Sequence, residues 1–204
     1  MMSVSLCAAL LVCLCVCVSE SCTCFPAHPQ ELFCSSSLVM RAEVTGKKIL
    51  PGEINTEGME VVQYDIKVRK VFKGSSDRIK KIKHASTLEI MCTAILGHGQ
   101  YLLSGYMDSY DRLSISMCDL IVRWDSLSLM QKNNIKYRYQ KGCDCKISIC
   151  TRQPCQPSSE SECVLDDWSY SRSEPLLEAA CVRHTDGSCS WDTGTAKNHT
   201  HTHA

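Results

Sequence analysis

The chain has 204 residues with 22 Lys and Arg against 22 Asp and Glu, giving a formal net charge of +0, and 16 of its residues are Cys. Balanced charge excludes a broad basic field of the kind that draws nucleic acid or an anionic membrane to a whole protein. So high a cysteine count excludes an ordinary reduced cytosolic domain.

The chain opens on an apolar run, Leu6 to Val18, too short to cross a bilayer. Ser19 and Ser21 place small residues where a signal peptidase reads, so residues 1–21 are expected to be a signal peptide cleaved after Ser21. A lipoprotein leader also ends at a Cys, but Ser19 and Glu20 stand where that signal needs an apolar and a small residue. Removing Cys7, Cys13, Cys15 and Cys17 with the leader leaves twelve cysteines, an even set that implies a disulfide framework of up to six bridges. Spacing alone leaves the pairing open. Without the leader the charge stays nearly balanced, since only Glu20 is lost. No later segment approaches the roughly 20 apolar residues of a spanning helix, so a soluble, secreted product of the extracellular space or matrix is expected.

Between Cys34 and Cys143 only Cys92 and Cys118 occur, whereas seven cysteines crowd into Cys143 to Cys189. The first part must depend on an apolar core and the second on bridges. A larger domain over 22–143 and a smaller one over 145–189 follow from this, and no internal repeat is visible.

In chain order, Leu38, Met40, Ala42 and Val44 alternate with polar or outward positions, as do Val62, Tyr64, Ile66 and Val68, so both stretches read as strands. The apolar phase slips at Val71-Phe72, which suits a bulge before a turn at Lys73-Gly74. Further strands are expected at Ile79 to Lys83, Tyr101 to Tyr106 and Leu113 to Met117. Five strands in about 120 residues favour a small closed barrel over an open sheet. Ser128 with Gln131 three residues later forms a capping box for a helix reaching towards Tyr139, with Gly142 placed to stop it. Tyr137 and Tyr139 read as core and surface positions rather than as a binding stripe. After Cys145 the chain is loop-rich, with Cys150 and Cys155 close enough for a small loop, a turn at Asp186-Gly187, and Trp168 and Trp191 as apolar anchors. Residues 190–204 read as a polar, disordered tail.

Cys22-Thr23-Cys24 and Cys143-Asp144-Cys145 have the wrong spacing for a zinc site, whose Cys pairs stand two to four apart, and no Cys-x-x-Cys redox pair occurs. Disulfides account for them better. His199, His201 and His203 are expected to be solvated, and His28, between Ala27 and Pro29, to have a packing and hydrogen-bonding role. Neither Gly-x-Ser-x-Gly nor His-Glu-x-x-His is present, so hydrolase chemistry has no support and no enzyme is expected. Asn198-His199-Thr200 is a glycosylation sequon.

A chain that begins at Cys22 offers a free α-amino group and the same residue's carbonyl oxygen three bonds apart, a pair able to close a five-membered ring on a metal. Bridging Cys22 and Cys24 to the body removes most of the ordering cost of a chain end. The amine titrates at about 7.7 to 8.0 when unperturbed, so metal affinity should rise with pH across that range.

The stretch C-T-C-F-P-A-H-P-Q-E-L-F-C from Cys22 to Cys34 resembles the N-terminal signature of the tissue inhibitors of metalloproteinases. The resemblance continues through V-M-R-A-E from Val39, F-K-G from Phe72, C-D-L-I-V-R-W-D-S-L from Cys118, Y-Q-K-G-C-D-C-K-I from Tyr139 and D-G-S-C-S-W from Asp186. It covers nearly all of the chain after the leader and is nearest the second and fourth members. It implies a mainly β protein with minor α: an N-terminal five-stranded OB-like barrel of the netrin-module type, with a small disulfide-rich C-terminal domain. It also implies the pairing Cys22 with Cys92, Cys24 with Cys118, Cys34 with Cys143, Cys145 with Cys189, Cys150 with Cys155, and Cys163 with Cys181.

The activity implied is tight, non-covalent inhibition of matrix metalloproteinases by a monomer with no cofactor of its own, related zinc proteases and a cell-surface receptor being further partners. The amine and carbonyl of Cys22 would chelate the protease's zinc and displace its water. Thr23 would enter the adjoining pocket, and Cys24, Phe25 and Pro26 would lie along the cleft. Glu89, Ile90, Met91 and Thr93 would add contacts beside Cys92. Three departures stand out: Phe25 in place of a smaller residue, Glu43 in place of a Lys, and a His-Thr tail in place of the second member's acidic one, which removes the basis for expecting proenzyme binding. A non-inhibitory netrin-like matrix or receptor-binding module is the alternative, and a secreted thiol-disulfide enzyme would require a free thiol.

Overall fold

The computed structural model describes residues 22–51, 60–88, 92–108, 110–150, 154–166 and 178–194. The leader, Trp168 and the tail sites Asn198, His199, His201 and His203 lie outside them. The described elements are α1 (Pro29–Ser35), β1 (Leu38–Leu50), β2 (Val61–Lys73), α2 (Ser76–Ile79), β3 (His84–Leu88), β4 (Gly99–Met107), β5 (Leu113–Ser114), β6 (Ile121–Arg123), α3 (Leu129–Tyr137), β7 (Lys146–Cys150), β8 (Glu162–Asp166), β9 (Ala180–Arg183) and β10 (Cys189–Asp192). Short 3-10 turns at Trp124–Ser126 and Tyr139–Gly142 flank α3.

Strands β1, β2, β3, β5 and β4 pair in that order, and β4 returns to β1, closing a five-stranded barrel; β6 continues along β4. Closure leaves none of the long strands with a bare edge. The alternation seen in the sequence places Leu38, Met40, Ala42, Val44, Val62, Tyr64 and Ile66 inside. Val39 pairs with Lys73 and Met40 with Val71, so Phe72 is the bulged residue, as its phase slip implied. Its ring stacks on Trp124 at 5.8 Å, and the Arg41 guanidinium lies over the same indole at 4.6 Å. Gly74 follows at φ 94, where only glycine is at ease.

Three expectations need correction. Residues 79–83 are not a strand: Ile79 ends α2 and Ile82 closes a turn onto its carbonyl, and the third strand begins at His84. The two buried isoleucines are three apart, a spacing that a helical turn puts on one face and a strand does not. The strand expected at Leu113 to Met117 pairs only over Leu113–Ser114, although Ile115 stays buried and donates to Ser86 at 2.9 Å. Gly142 does not stop α3, whose last turn ends at Arg138; it sits in the following 3-10 turn. A Cβ there would meet the Cys181 carbonyl at 1.8 Å, so close packing requires the glycine. The capping box at Ser128 and Gln131 is present in full, and Tyr139 is buried while Tyr137 is 63% exposed.

All six bridges join the pairs that the resemblance implied. Three lie within 22–143 and three within 145–189. The second part is a parallel β7–β8 pair and an antiparallel β9–β10 pair around Cys145, Ile147, Cys163, Leu165, Cys181 and Cys189. The tail expectation also needs correction, since Ser190 to Asp192 form part of β10 and Asp192 pairs with Arg138 of the helix cap. Ala180 and Val182 of β9 pack with Phe33, Leu120, Trp124, Ile135 and Tyr139, so one apolar cluster joins the two parts.

Candidate functional site

Residues 22–28 run without regular secondary structure between two anchors. Cys22 is bridged to Cys92 with Cα atoms 5.2 Å apart, and Cys24 to Cys118 at 5.3 Å. The Sγ atoms of Cys22, Cys24 and Cys118 lie within 4.8 Å of one another, so the bridges sit side by side. Sulfurs in disulfides offer no thiolate, and the cluster is not a metal site of this chain. Thr23 is exposed between the anchors, Pro26 is exposed, and Phe25 is 94% exposed, a solvent-facing ring whose apolar area would favour burial against a partner. Two cross-links one residue apart therefore hold a solvent-facing strip with little freedom left to lose.

What fixes the far side of each bridge is equally specific. The segment after Cys92 has no regular structure, yet Tyr64, buried inside β2, donates its hydroxyl to the Ala94 carbonyl at 2.8 Å and accepts from Leu96 N–H at 3.1 Å. Thr87 accepts from Ala94 N–H at 3.3 Å, and the Tyr101 hydroxyl accepts from Gly97 N–H at 3.2 Å. A buried tyrosine must satisfy its hydroxyl, and here that need ties the loop to the barrel core. Met117 N–H donates to the Cys92 carbonyl at 3.1 Å, joining the two anchor loops. In the second of these, Asp119 accepts from Ser116 N–H at 2.6 Å and from its hydroxyl at 3.1 Å. Burial pushes the Asp119 carboxyl above its usual range, against the opposing pull of the Ser116 bonds.

The strip ends at His28, fully buried, whose Nδ1 accepts from Gln30 N–H at 3.2 Å as the N-cap of α1. Glu31 returns a bond to His28 N–H at 2.9 Å, completing a capping box. The His28 ring packs on Trp191 at 5.0 Å, the structural role its context implied. Of the expected contact positions beside Cys92, Thr93 is partly buried in the anchored loop, while Glu89, Ile90 and Met91 lie outside the described residues. Glu43 is matched by Arg69 across the β1–β2 pair, which explains an acid at that position. Every cysteine from Cys22 onward is in a disulfide, so the thiol-disulfide enzyme loses its requirement. The anchoring roles of Tyr64, Tyr101 and Thr87 were not visible in the sequence; an inward tyrosine in a barrel strand was the available signal.

The tissue inhibitor of metalloproteinase family model matches residues 20–191. Metalloproteinase inhibitor 2 of Gallus gallus is 38% identical over 186 residues, covering 87% of this chain and 84% of the relative. The rabbit (Oryctolagus cuniculus) and human proteins of that name are each 37% identical, over 182 and 186 residues, covering 86% and 87% of this chain and 94% and 84% of their own length. With its bridges, its barrel and the doubly anchored strip from Cys22, the chain belongs to the tissue inhibitor of metalloproteinase family.

Proposed function

We propose that the chain is a secreted inhibitor of zinc metalloendopeptidases of the matrix metalloproteinase type, acting through the strip that begins at Cys22. The observation carrying this reading is the pair of adjacent bridges that clamp Cys22 and Cys24 to two cross-bonded loops and leave Thr23 exposed between them. Six bridges and an apolar leader fit an oxidising, extracellular setting. No described helix is long and apolar enough to cross a membrane.

Cleavage after Ser21 makes the Cys22 nitrogen a free amine. That amine and the Cys22 carbonyl chelate the catalytic zinc of the protease and displace its water, which removes the nucleophile the enzyme depends on. Thr23 enters the pocket beside the zinc. Cys24, Phe25 and Pro26 follow the cleft away from it, and Thr93 with Glu89, Ile90 and Met91 forms a second ridge. No peptide bond crosses the zinc, because the chain starts there, so the inhibitor is not cut. The clamped strip binds with little loss of conformational freedom, the main cost of docking a chain end. The zinc belongs to the protease, and the inhibitor needs no cofactor.

The test is a titration of a matrix metalloproteinase catalytic domain with the correctly bridged chain beginning at Cys22. Stoichiometric loss of peptide hydrolysis is expected; full activity in the presence of excess chain overturns the reading.

A further inference from the structure

We propose that a groove on the outer face of the barrel, between the β1–β2 and β4–β5 connections, binds short uncharged oligosaccharides. Strand register builds its floor. Gln63 of β2 stands opposite Ser86 of β3, Ser86 opposite Ser114 of β5, and Ser114 opposite Tyr106 of β4, so the four side chains form one row across the sheet. Their strand neighbours Val62, Tyr64, Ala85 and Leu113 point into the core, which turns the row outward. The side chains of Gln63, Ser86 and Ser114 hydrogen-bond to no other group among the described residues. Their hydroxyl and amide groups are left open to a ligand.

Two walls enclose this floor in a groove of about 310 Å³. On one side Leu50 pairs with Val61 and Pro51 follows it, giving an apolar edge. On the other, the Asp108 carboxylate accepts from the N–H groups of Tyr110 and Arg112, both at 2.9 Å, and from Arg112 Nε at 2.7 Å. That pair fixes the β4–β5 turn and leaves the groove without net charge. Tyr106, at the end of the row, and Tyr110, in the turn, are 56% and 78% exposed, and the Arg112 guanidinium lies over the Tyr110 ring at 5.4 Å.

The chemistry of the ligand follows from these surfaces. A sugar ring carries hydroxyls that both donate and accept, and an apolar face of C–H groups. The Ser and Gln floor serves the first, and the apolar edge with the exposed tyrosine rings serves the second. An anionic ligand is disfavoured, because Arg112 is held by Asp108 and Lys48, which continues the row beside Gln63, is matched by Asp65 at 3.4 Å. An extended peptide is disfavoured too, since the floor strands pair with one another and offer no bare edge for main-chain bonds. The volume lies at the lower end of the roughly 300 to 1,000 Å³ of ligand sites, which admits only a short run of rings. OB barrels take oligonucleotides and oligosaccharides over strands two and three, between the first and fourth connections, and the strand order puts this groove there. Its lack of a free cation favours the sugar.

The test titrates the isotopically labelled chain from Cys22 onward, all six bridges formed, with cellohexaose, chitohexaose and mannohexaose, without any protease, so that it reads independently of inhibition. At least one sugar is expected to shift the amide signals of Gln63, Ser86 and Ser114 saturably at millimolar concentration or below. Its affinity should hold constant between about 0.05 and 0.2 M salt, a range over which a charge-driven ligand weakens steeply. The double variant Gln63→Ala, Ser114→Ala should bind about tenfold more weakly, as expected for two lost hydrogen bonds. Tyr106→Ala should also weaken binding, whereas Tyr137→Ala, which removes a comparably exposed ring on α3, should not. No saturable shift from any of the sugars, shifts that spare the groove, parent-like binding by both groove variants, or stronger binding of decaproline or heparin at the same residues would overturn the proposal.

Discussion

The side-chain amide of Gln30 is bonded at both ends to the backbone of Cys181: its Nε2 donates to the carbonyl at 2.7 Å and its Oε1 accepts the N–H at 2.8 Å. Gln30 lies in α1, just past the exposed strip that carries Phe25, and Cys181 lies in β9, so α1 is keyed directly to the second part of the chain. Replacing Gln30 with Leu strands two backbone groups in a fully buried site. A loss of about 1–3 kcal/mol is expected, measured by denaturant unfolding; an unchanged midpoint would remove Gln30 from the account.

Tyr64→Phe takes away the hydroxyl that Ala94 and Leu96 share. Stability should fall by about 1–3 kcal/mol, because two buried backbone groups lose their partner. If the Cys92 loop also supports the proposed binding strip, inhibition should weaken in the still-folded variant at temperatures well below its melting point. Parent-like inhibition would show that the bridges alone hold that loop.

Phe25 is 94% exposed and supports no packing. Phe25→Val should therefore leave the melting temperature almost unchanged, within about 0.5 kcal/mol in stability, while altering the relative inhibition constants for proteases that differ in cleft width. Constants that all stay the same would place Phe25 outside the contact.

Glu162, only 4% exposed, accepts from the N–H and hydroxyl of Ser158, both at 2.5 Å, and pairs with Lys146 at 3.0 Å. The Ser158 hydroxyl first, then Ser148, the Ser158 N–H and Lys146, hold its carboxyl well below the ordinary value of 4.5. A depressed carboxylate contributes stability that is fully present above the unfolded value and is lost as pH falls through the folded one. Thermal melts should decline below pH 4.5, the ordinary value, and Glu162→Gln should lower stability at neutral pH and flatten that acid limb. An equally steep limb in the variant would assign the acid sensitivity elsewhere.

How far the sequence could be read depends on how local the determining forces are. Alternation at Leu38 to Val44 and Val62 to Val68 revealed the core strands because a pleat forces period two, and the slip at Phe72 revealed its bulge. The box at Ser128 and Gln131 was visible because capping spans three residues. Ile79 and Ile82 misled because two isoleucines among lysines also suit a strand; only their spacing of three favoured a turn. Gly142 and Gln30 were illegible, since each answers to Cys181, far along the chain. The same holds for the site. The disulfides of Cys22 and Cys24 were implied by the resemblance, but the Tyr64 and Tyr101 hydroxyls that steady the loop after Cys92 required the fold.

In the proposed mechanism the nitrogen of Cys22 itself meets the protease's zinc. The most direct measurement compares inhibition of one matrix metalloproteinase catalytic domain by the chain beginning at Cys22 and by the same chain with a single Ala placed before it, both with all six bridges formed. Tight inhibition by the first and near-complete loss in the second are expected, because the added residue turns the amine into an amide and adds bulk over the metal. Equal inhibition by the two would contradict it and move the inhibitory surface away from Cys22.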